Sequence, residues 1–213
     1  MAFDLSTYER LRPFLYHRSH APNLPAIRRD GALRCADDVR GGPAGQLRPR
    51  RAMEEVTRDG RMLYLTDQKP LALGAIAWEE GWDAARWLRR LDTLVFLWPG
   101  DEHGPRGYAK AHGEKYDRQA AGGGPAPVLL RVPFADALAA NPSLMPLFCR
   151  YNSGGPRAQP SGGSPRGDST FRPANECDFT PGRVQELAFD RGPVALPTST
   201  AVRSESDWEP LFG

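Results

Sequence analysis

The chain has 213 residues and a mass of 23.5 kDa, with 40% hydrophobic and 25% charged residues. This size and balance suit a single domain spanning 1–213 and exclude wholesale disorder. The formal net charge of +2 excludes a strong overall field that would draw the whole molecule onto nucleic acid. No segment reaches the roughly 20 apolar residues of a membrane-spanning helix, so we expect no membrane partner. The N-terminus lacks an apolar signal segment, which predicts a cytoplasmic protein.

Arginine dominates the basic residues. Lysine occurs only at Lys69, Lys110 and Lys115. Arginine therefore supplies 25 of the 28 basic residues, and its planar guanidinium group suits the recognition of phosphates and carboxylates. The three cysteines are far apart and odd in number, a pattern that argues against a disulfide framework.

In the first part of the chain, the sequence pattern predicts short helices and strands and one long loop. In order, these are a helix from a capping box at Ser6 to about Pro13, a strand at 15–19, a helix that carries Leu24 and Ile27 and stops at Gly31, and a surface segment at 34–60 with one helical turn near Met53. The next elements are a strand at 62–66, a buried helix at 67–78, an amphipathic helix at 83–91 and a buried strand at 94–98 closed by Pro99 and Gly100.

In the second half of the chain, the sequence pattern predicts fewer helices. The elements are a polar loop at 100–127, a strand at 128–132, a helix at 136–140, an irregular segment at 150–172, a strand at 184–189 and a partner strand at 194–196. Irregular loops separate the short strands more often than helices do. This disfavours a doubly wound parallel sheet and predicts an α+β domain with mixed or antiparallel sheets.

Several common site motifs are absent from the sequence. There is no GxGxxG after a predicted strand, no P-loop and no GxSxG elbow. His17 and His20 are three residues apart, but on a strand they point to opposite faces, so we expect no metal site there. The sequence therefore contains no common nucleotide-binding or hydrolase signature.

Three segments, in order along the chain, resemble NAD-dependent ADP-ribosyltransferases of the DarT type. They are FLYHRSHAPNLPAI at 14–27 running into GAL at 31–33, LDTLVFLWP at 91–99, and VQELAF at 184–189 followed by GPV at 192–194. The middle of the chain departs from DarT. TDQKPL at 66–71 and RYNSG at 150–154 instead look like a related, poorly characterised bacterial family.

The resemblance implies an ADP-ribosyltransferase-like fold in which two short mixed or antiparallel sheets face a cleft. It also implies that NAD binds there as a substrate, with Glu186 and His17 as catalytic residues beside the sugar. The chemistry agrees, because cleavage of the nicotinamide–ribose bond passes through an oxocarbenium-like state that a carboxylate stabilises. Two plainer interpretations stay open: a solubilising Glu186 on an edge strand and a core His17.

Further NAD ligands follow from the same resemblance. The residues assigned to NAD binding are His17, Arg18, Ser19, Asn23, Phe96, Trp98, Arg150 and Asn152. DarT-type enzymes also use an arginine between the first strand and the aromatic strand. Arg51, Arg61 and Arg90 all lie in that interval, and we assign the catalytic role to Arg90. For the pyrophosphate, the candidates also include Arg28, Arg29 and Arg89.

The implied activity is transfer of ADP-ribose to a nucleic-acid base, such as one in DNA, or to another macromolecule. Such a reaction would be toxic to the cell that makes it, which implies a neutralising partner protein. Two alternatives stay open at this point. One is a catalytically silent binding domain of the same fold, and the other is an NAD hydrolase that needs no acceptor.

Overall fold

The computed structural model describes residues 3–42, 49–68, 71, 73–154, 165–204 and 206–213. Its helices are α1 (Leu5–Leu11), α2 (Leu24–Asp30), α3 (Ala36–Arg40), α4 (Ala84–Asp92), α5 (Ala109–Ala121) and α6 (Phe134–Ala140). Its strands are β1 (Phe14–His20), β2 (Ala32–Leu33), β3 (Glu54–Arg58), β4 (Arg61–Leu65), β5 (Leu94–Asp101), β6 (Gly104–Pro105), β7 (Pro127–Pro133), β8 (Pro146–Cys149), β9 (Arg172–Pro173), β10 (Glu186–Asp190), β11 (Val194–Ala195), β12 (Ala201–Arg203) and β13 (Glu209–Pro210).

Nine strands form one antiparallel sheet in the order β13-β12-β7-β1-β5-β10-β8-β9, with β6 also paired to β5. Two small sheets, β11-β2 and β3-β4, lie outside it. The predicted α+β class with antiparallel strands is therefore confirmed. The prediction of two short facing sheets was wrong, because β5 joins the strands of both halves into one large sheet.

The centre of this sheet forks at β5. Its C-terminal half pairs with β1, where Tyr16 lies opposite Trp98, and its N-terminal half pairs with β10, where Leu187 lies opposite Leu97. Backbone pairing of β1 with β5 ends at Tyr16, although β1 stays paired with β7 as far as His20. The two central strands therefore separate beyond Tyr16 and leave an opening between them.

Side-chain alternation along the strands separates two cores. On one face, Leu15, Leu97 and Phe189 join the main core. On the other face, α4 packs over β10 around Ala188, whereas Ala109 of α5 packs over the part of the sheet that carries Tyr16 and Trp98. The two helices thus cover different halves of the same face, and the fork in the sheet lies between those halves.

Local capping explains where several helices begin and end. Asp83 caps α4 by accepting a hydrogen bond from the backbone N–H of Arg86, and Gly31, with φ of 57°, ends α2 as predicted. The N-cap of α1 is Asp4, whose carboxylate accepts from the N–H groups of Ser6 and Thr7. The prediction of Ser6 as the cap was wrong, because the charged carboxylate two residues earlier reaches the same donors.

The predicted surface loop at 34–60 was wrong in two places. It contains α3 and the first strand of the β3-β4 hairpin, and the helical turn expected near Met53 is absent. Asp59 and Gly60 connect the hairpin with φ of 51° and 72°. An Asp-Gly pair is a strong signal for a two-residue hairpin turn, so the β3-β4 hairpin could have been predicted from the sequence.

Three further expectations were also wrong. In the described part of 67–78 the only helical element is a 3₁₀ turn at Leu73–Ala75, and the segment predicted as a loop at 100–127 contains the 13-residue helix α5. β11 pairs with β2 rather than with β10. Within 150–172, residues 155–164 lie outside the described residues; β9 begins at Arg172.

The strand predicted at 184–189 begins two residues later, at Glu186. Val184 therefore packs with Leu187 in the main core and does not share the face of Glu186. None of the described helices is long and apolar enough to cross a membrane. The three cysteines are buried and unpaired.

Candidate active site

A cavity of about 300 Å³ lies at the fork in the sheet. β1 contributes His17, Arg18 and Ser19 to its wall, and β10 contributes Glu186. Its other walls include residues of β5, α5, α2, β2 and α3, together with the segments around 64–68 and 152–154. Residues from parts of the sequence that are far apart therefore meet in one concave site.

His17 lies where the backbone pairing of β1 and β5 stops. Its Nδ1 is 2.9 Å from the carbonyl oxygen of Phe96, so the ring takes the place of the missing strand pairing. Burial lowers the pKa of His17, which leaves the ring neutral at pH 7. Since a carbonyl only accepts, Nδ1 carries the hydrogen atom and Nε2 is left as an acceptor.

Glu186 is the first residue of β10 and is only 5% exposed. Its carboxylate accepts a hydrogen bond of 3.2 Å from the backbone N–H of Ser153. Burial raises the pKa of Glu186 from 4.5 to about 7, although hydrogen bonding from Ser153 and the charge of Arg166 act in the opposite direction. The site therefore holds a carboxyl group that changes its charge close to neutral pH.

Residues 150–153, which include the backbone N–H that binds the Glu186 carboxylate, are held in place by contacts between arginines and an aromatic ring. The guanidinium groups of Arg150 and Arg166 lie 5.0 Å and 4.8 Å from the ring centre of Tyr151. Arg166 also donates to the carbonyl of Asn152 at 3.2 Å. These contacts place the N–H of Ser153 on the carboxylate, and Asn152 lines the cavity beside it.

Arg18 brings a positive charge to the cavity. The charge of Asp117 acts on its guanidinium group, but no described carboxylate forms an ion pair with it, and its Nε is buried without a hydrogen-bond partner. The guanidinium lies directly against Gly113 of α5. Burial lowers the pKa of Arg18, but an arginine side chain remains charged in proteins. An unmatched cation in a cavity wall is suited to bind an anionic group of a ligand.

Asn23 and Ser19 are close together, but their side chains have different roles. The amide of Asn23 donates to the Tyr64 carbonyl and accepts from the Tyr64 N–H, and it also donates to Ser19 Oγ at 3.1 Å. Asn23 therefore fastens β4 to the cavity wall. Its side-chain groups are engaged there, whereas the Ser19 hydroxyl retains its own donor.

The wall opposite β1 was not predicted from the sequence. Thr66 Oγ1 lies 2.6 Å from the Tyr116 hydroxyl and 3.1 Å from His20 Nε2. Lys115 pairs with Asp67 at 2.6 Å. These bonds tie the segment after β4 to α5 and β1. TDQKPL was noted in the sequence as a family segment, but nothing in it reveals its partners on a helix about 50 positions away.

The two aromatic residues of β5 lie on the same face of the sheet. Phe96 and Trp98 both line the cavity. The Phe96 ring also packs against Phe171 at 5.8 Å, and the Trp98 ring lies 4.9 Å from His112. Both residues combine a packing role with a place in the cavity wall.

Arg90 does not reach the cavity. It lies on α4 and pairs with Asp190 at 2.6 Å, so its assignment as a catalytic residue was wrong. Arg150 also lies outside the cavity lining, because its guanidinium packs on Tyr151 and faces Asp178. The other arginines considered from the sequence and absent from the lining are Arg28, Arg51, Arg61 and Arg89. Arg29 is part of the lining but pairs with Asp30 at 2.7 Å.

A buried ion-pair cluster supports the cavity from behind. Asp92, at the end of α4, accepts from Arg40 and Arg50 at 2.7 Å each, and from Gln68 at 3.1 Å. Arg50 and Gln68 line the cavity. No group of three or more His, Cys, Asp or Glu side chains in the described part of the chain is arranged to hold a metal ion.

Comparison with known families identifies one match. The model of a family of unknown function, DUF7002, matches residues 13–196, and the chain belongs to that family. No curated protein and no solved structure matches the chain.

Proposed function

We propose that this member of the DUF7002 family is an NAD-dependent ADP-ribosyltransferase, and that NAD binds at the fork in the sheet. One observation carries the proposal: the buried carboxyl group of Glu186 shares a cavity with the neutral ring of His17 and the unmatched cation of Arg18. These groups are suited to a sugar cation, a ribose hydroxyl and a diphosphate, respectively.

Glu186 would act on the bond between the nicotinamide nitrogen and ribose C1′. When that bond breaks, both bonding electrons leave with nicotinamide, and positive charge develops on C1′ and the ring oxygen. The Glu186 carboxylate stabilises this charge in a site from which burial excludes water. The acceptor nucleophile then bonds to C1′, and its proton passes to the same carboxylate, whose pKa of about 7 suits a general base.

His17, Ser19 and Arg18 would hold the substrate. The acceptor Nε2 of His17 receives a hydrogen bond from a ribose hydroxyl, and the Ser19 hydroxyl reaches the same ribose or the nicotinamide amide. Arg18 binds the diphosphate. The aromatic rings of Phe96 and Trp98 offer apolar surface to a base. The acceptor of ADP-ribose is a nucleic-acid base or another macromolecule.

The test is release of nicotinamide from NAD by the purified chain, with DNA, RNA and protein acceptors supplied in parallel. Glu186→Gln keeps the size of the side chain but cannot form the carboxylate, so we expect it to lose at least 100-fold of the release rate, on the order of one electrostatic transition-state contact. Glu79→Gln is the matched control, because Glu79 also accepts from a backbone N–H, that of Ser169, but lies outside the cavity lining.

The outcomes separate the competing functions. A mass increase on an acceptor, lost in Glu186→Gln, supports transfer. Release without any labelled acceptor identifies an NAD hydrolase. NAD binding by calorimetry with no nicotinamide release identifies a silent binding domain. If the chain shows no NAD binding and no nicotinamide release, NAD is excluded as the ligand.

A further inference from the structure

A second cationic site lies on the outer part of the sheet. The guanidinium of Arg131, on β7, lies 4.4 Å from the ring centre of Trp208, and that of Arg203, on β12, lies 4.8 Å from the same ring. Arg131 also lies 5.0 Å from the ring of Phe14. Trp208 thus holds two arginines that come from adjacent strands, and all three side chains are partly exposed.

The strand register places the two arginines on the same face. Arg131 lies opposite Ala201, and Arg203 lies opposite Leu129. The arginines are therefore diagonal neighbours, about 7–8 Å apart at their backbones. In the next strand Arg18 also lies opposite Leu129, and the charge of Arg203 lowers the pKa of Arg18. Arg203 and Arg18 therefore repel each other across the strand that carries Arg131.

No carboxylate among the described residues neutralises Arg131 or Arg203. Asp207 and Glu209 flank Trp208 in the sequence, yet neither forms an ion pair with them. Arg86 shows the usual alternative in the same protein: it packs on Trp82 at 4.1 Å and faces Asp168 at 3.7 Å. A pair of like charges without an acid costs free energy, which a bound anion recovers.

We propose that Arg131 and Arg203, held by Trp208, form a phosphate-binding site outside the cavity. The aromatic ring restricts both guanidinium groups before any ligand arrives, which reduces the entropy lost on binding. A single arginine saturates the two oxygens of a carboxylate, whereas a phosphate presents enough oxygens for two guanidinium groups. The phosphate can belong to a nucleic-acid backbone or to a free phosphate compound.

The proposal does not depend on NAD chemistry, so binding alone tests it. Intrinsic tryptophan fluorescence would follow titration with sodium phosphate against sodium chloride of equal ionic strength. Fluorescence anisotropy would follow a labelled 12-nucleotide oligothymidylate. The proteins are the parent, Arg131→Gln, Arg203→Gln and the control Arg86→Gln, each checked for folding by circular dichroism and a urea midpoint.

Each Gln variant at the site should bind phosphate about tenfold more weakly or worse, the value of one charge-assisted contact, whereas Arg86→Gln should bind as the parent does. If the source is a single-stranded backbone, each lost arginine should also reduce the slope of log affinity against log salt by about 0.7. Binding of sodium phosphate alone would identify a site for free phosphate compounds. Folded Gln variants that bind both probes like the parent, or an equal loss in Arg86→Gln, would overturn the proposal.

Discussion

Glu186 has an unusual setting for a charged residue. It is 5% exposed, its carboxylate accepts from one backbone N–H, and its strand neighbours are apolar. Because these contacts do not replace the lost hydration, its pKa lies at about 7 instead of 4.5. A carboxyl group held this way is neutral in mild acid and ionised above neutrality, which makes both its chemistry and its contribution to stability dependent on pH.

We predict that activity rises with pH through this range. The kcat/KM for nicotinamide release reports the ionisation of the free enzyme, so it should rise about tenfold per pH unit below about 6 and level off above about 8. His17 does not account for this trend, because burial moves its pKa further below that of Glu186. The measurement is kcat/KM from pH 5 to 9. A flat profile would show that the ionised form of Glu186 is not the active one.

We predict the opposite trend for stability. Below pH 4.5 the group is protonated in both the folded and the unfolded chain. Between pH 4.5 and 7 only the unfolded chain ionises, so the free energy of unfolding falls as pH rises. From pH 5 to pH 8 the parent should lose about 2–3 kcal/mol more than Glu186→Gln. Urea unfolding of both proteins at the two pH values measures this, and equal losses would contradict it.

Asp92 should contribute more to stability than an exposed partner of arginine does. It is 1% exposed and pairs with Arg40 and Arg50. Asp92→Asn removes the buried carboxylate that Arg40 and Arg50 share, although Arg40 keeps its pair with Glu54, and the change should cost about 3–5 kcal/mol of unfolding free energy. Asp190→Asn breaks the more exposed pair with Arg90 and should cost about 1 kcal/mol or less. Urea unfolding compares the two, and similar losses would be inconsistent with this account.

Among the elements, α5 both packs on the sheet and contacts residues that line the cavity. It contributes Tyr116, which bonds to Thr66, and Lys115, which pairs with Asp67. Its glycine, Gly113, allows the Arg18 guanidinium to lie against the helix. The helix is therefore both a cover for the sheet and a support for the anion-binding side chain.

Gly113→Ala should separate stability from binding. Alanine favours a helix over glycine by about 0.5–1 kcal/mol, but its Cβ would occupy the place of the Arg18 guanidinium. We expect little change or a gain in unfolding free energy, together with a several-fold rise in the Kd for NAD. Gly182→Ala is the control, because its Cβ would meet open space. Calorimetry measures the Kd, and an unchanged value in Gly113→Ala would exclude Arg18 as a ligand.

At the scale of the whole molecule, the fork divides the sheet into two halves that share β5. Glu186 belongs to one half, where it pairs with Cys149, and His17 and Arg18 belong to the other. A ligand that contacts both halves binds only when both are folded and correctly placed relative to each other. Binding at the fork should therefore stabilise the entire fold against unfolding, and not one element alone.

We predict that NAD at about 100 times its Kd stabilises the protein by about 2.7 kcal/mol. For a chain of this length that corresponds to a rise in Tm of about 5–10 °C. Scanning calorimetry measures the shift. Arg18→Gln should show a smaller shift because it loses a ground-state contact, whereas Glu186→Gln should keep most of it because the carboxylate acts mainly in the transition state. No shift in the parent would contradict the binding site.

Sequence reasoning succeeded where the signal is local. The apolar runs around Leu97 and Leu130 predicted strands correctly, and Asp83 and Gly31 marked helix ends. Polar α5 was missed because its sequence lacks a clear apolar stripe and contains Gly113, although the described structure places it over the sheet. Propensity is a weak guide when tertiary packing determines whether a helix forms.

The sequence by itself determined the α+β class, the strands that carry His17 and Glu186, the end of α2 at Gly31 and the start of α4 at Asp83, because strand alternation and capping act over a few residues. Only the tertiary structure decided that one sheet replaces two, that Arg90 faces Asp190, that Arg18 enters the cavity, and that Arg131 and Arg203 share Trp208. These results depend on pairings between distant segments. Their free energy comes from the burial and charge that each residue meets after folding, which no local pattern records.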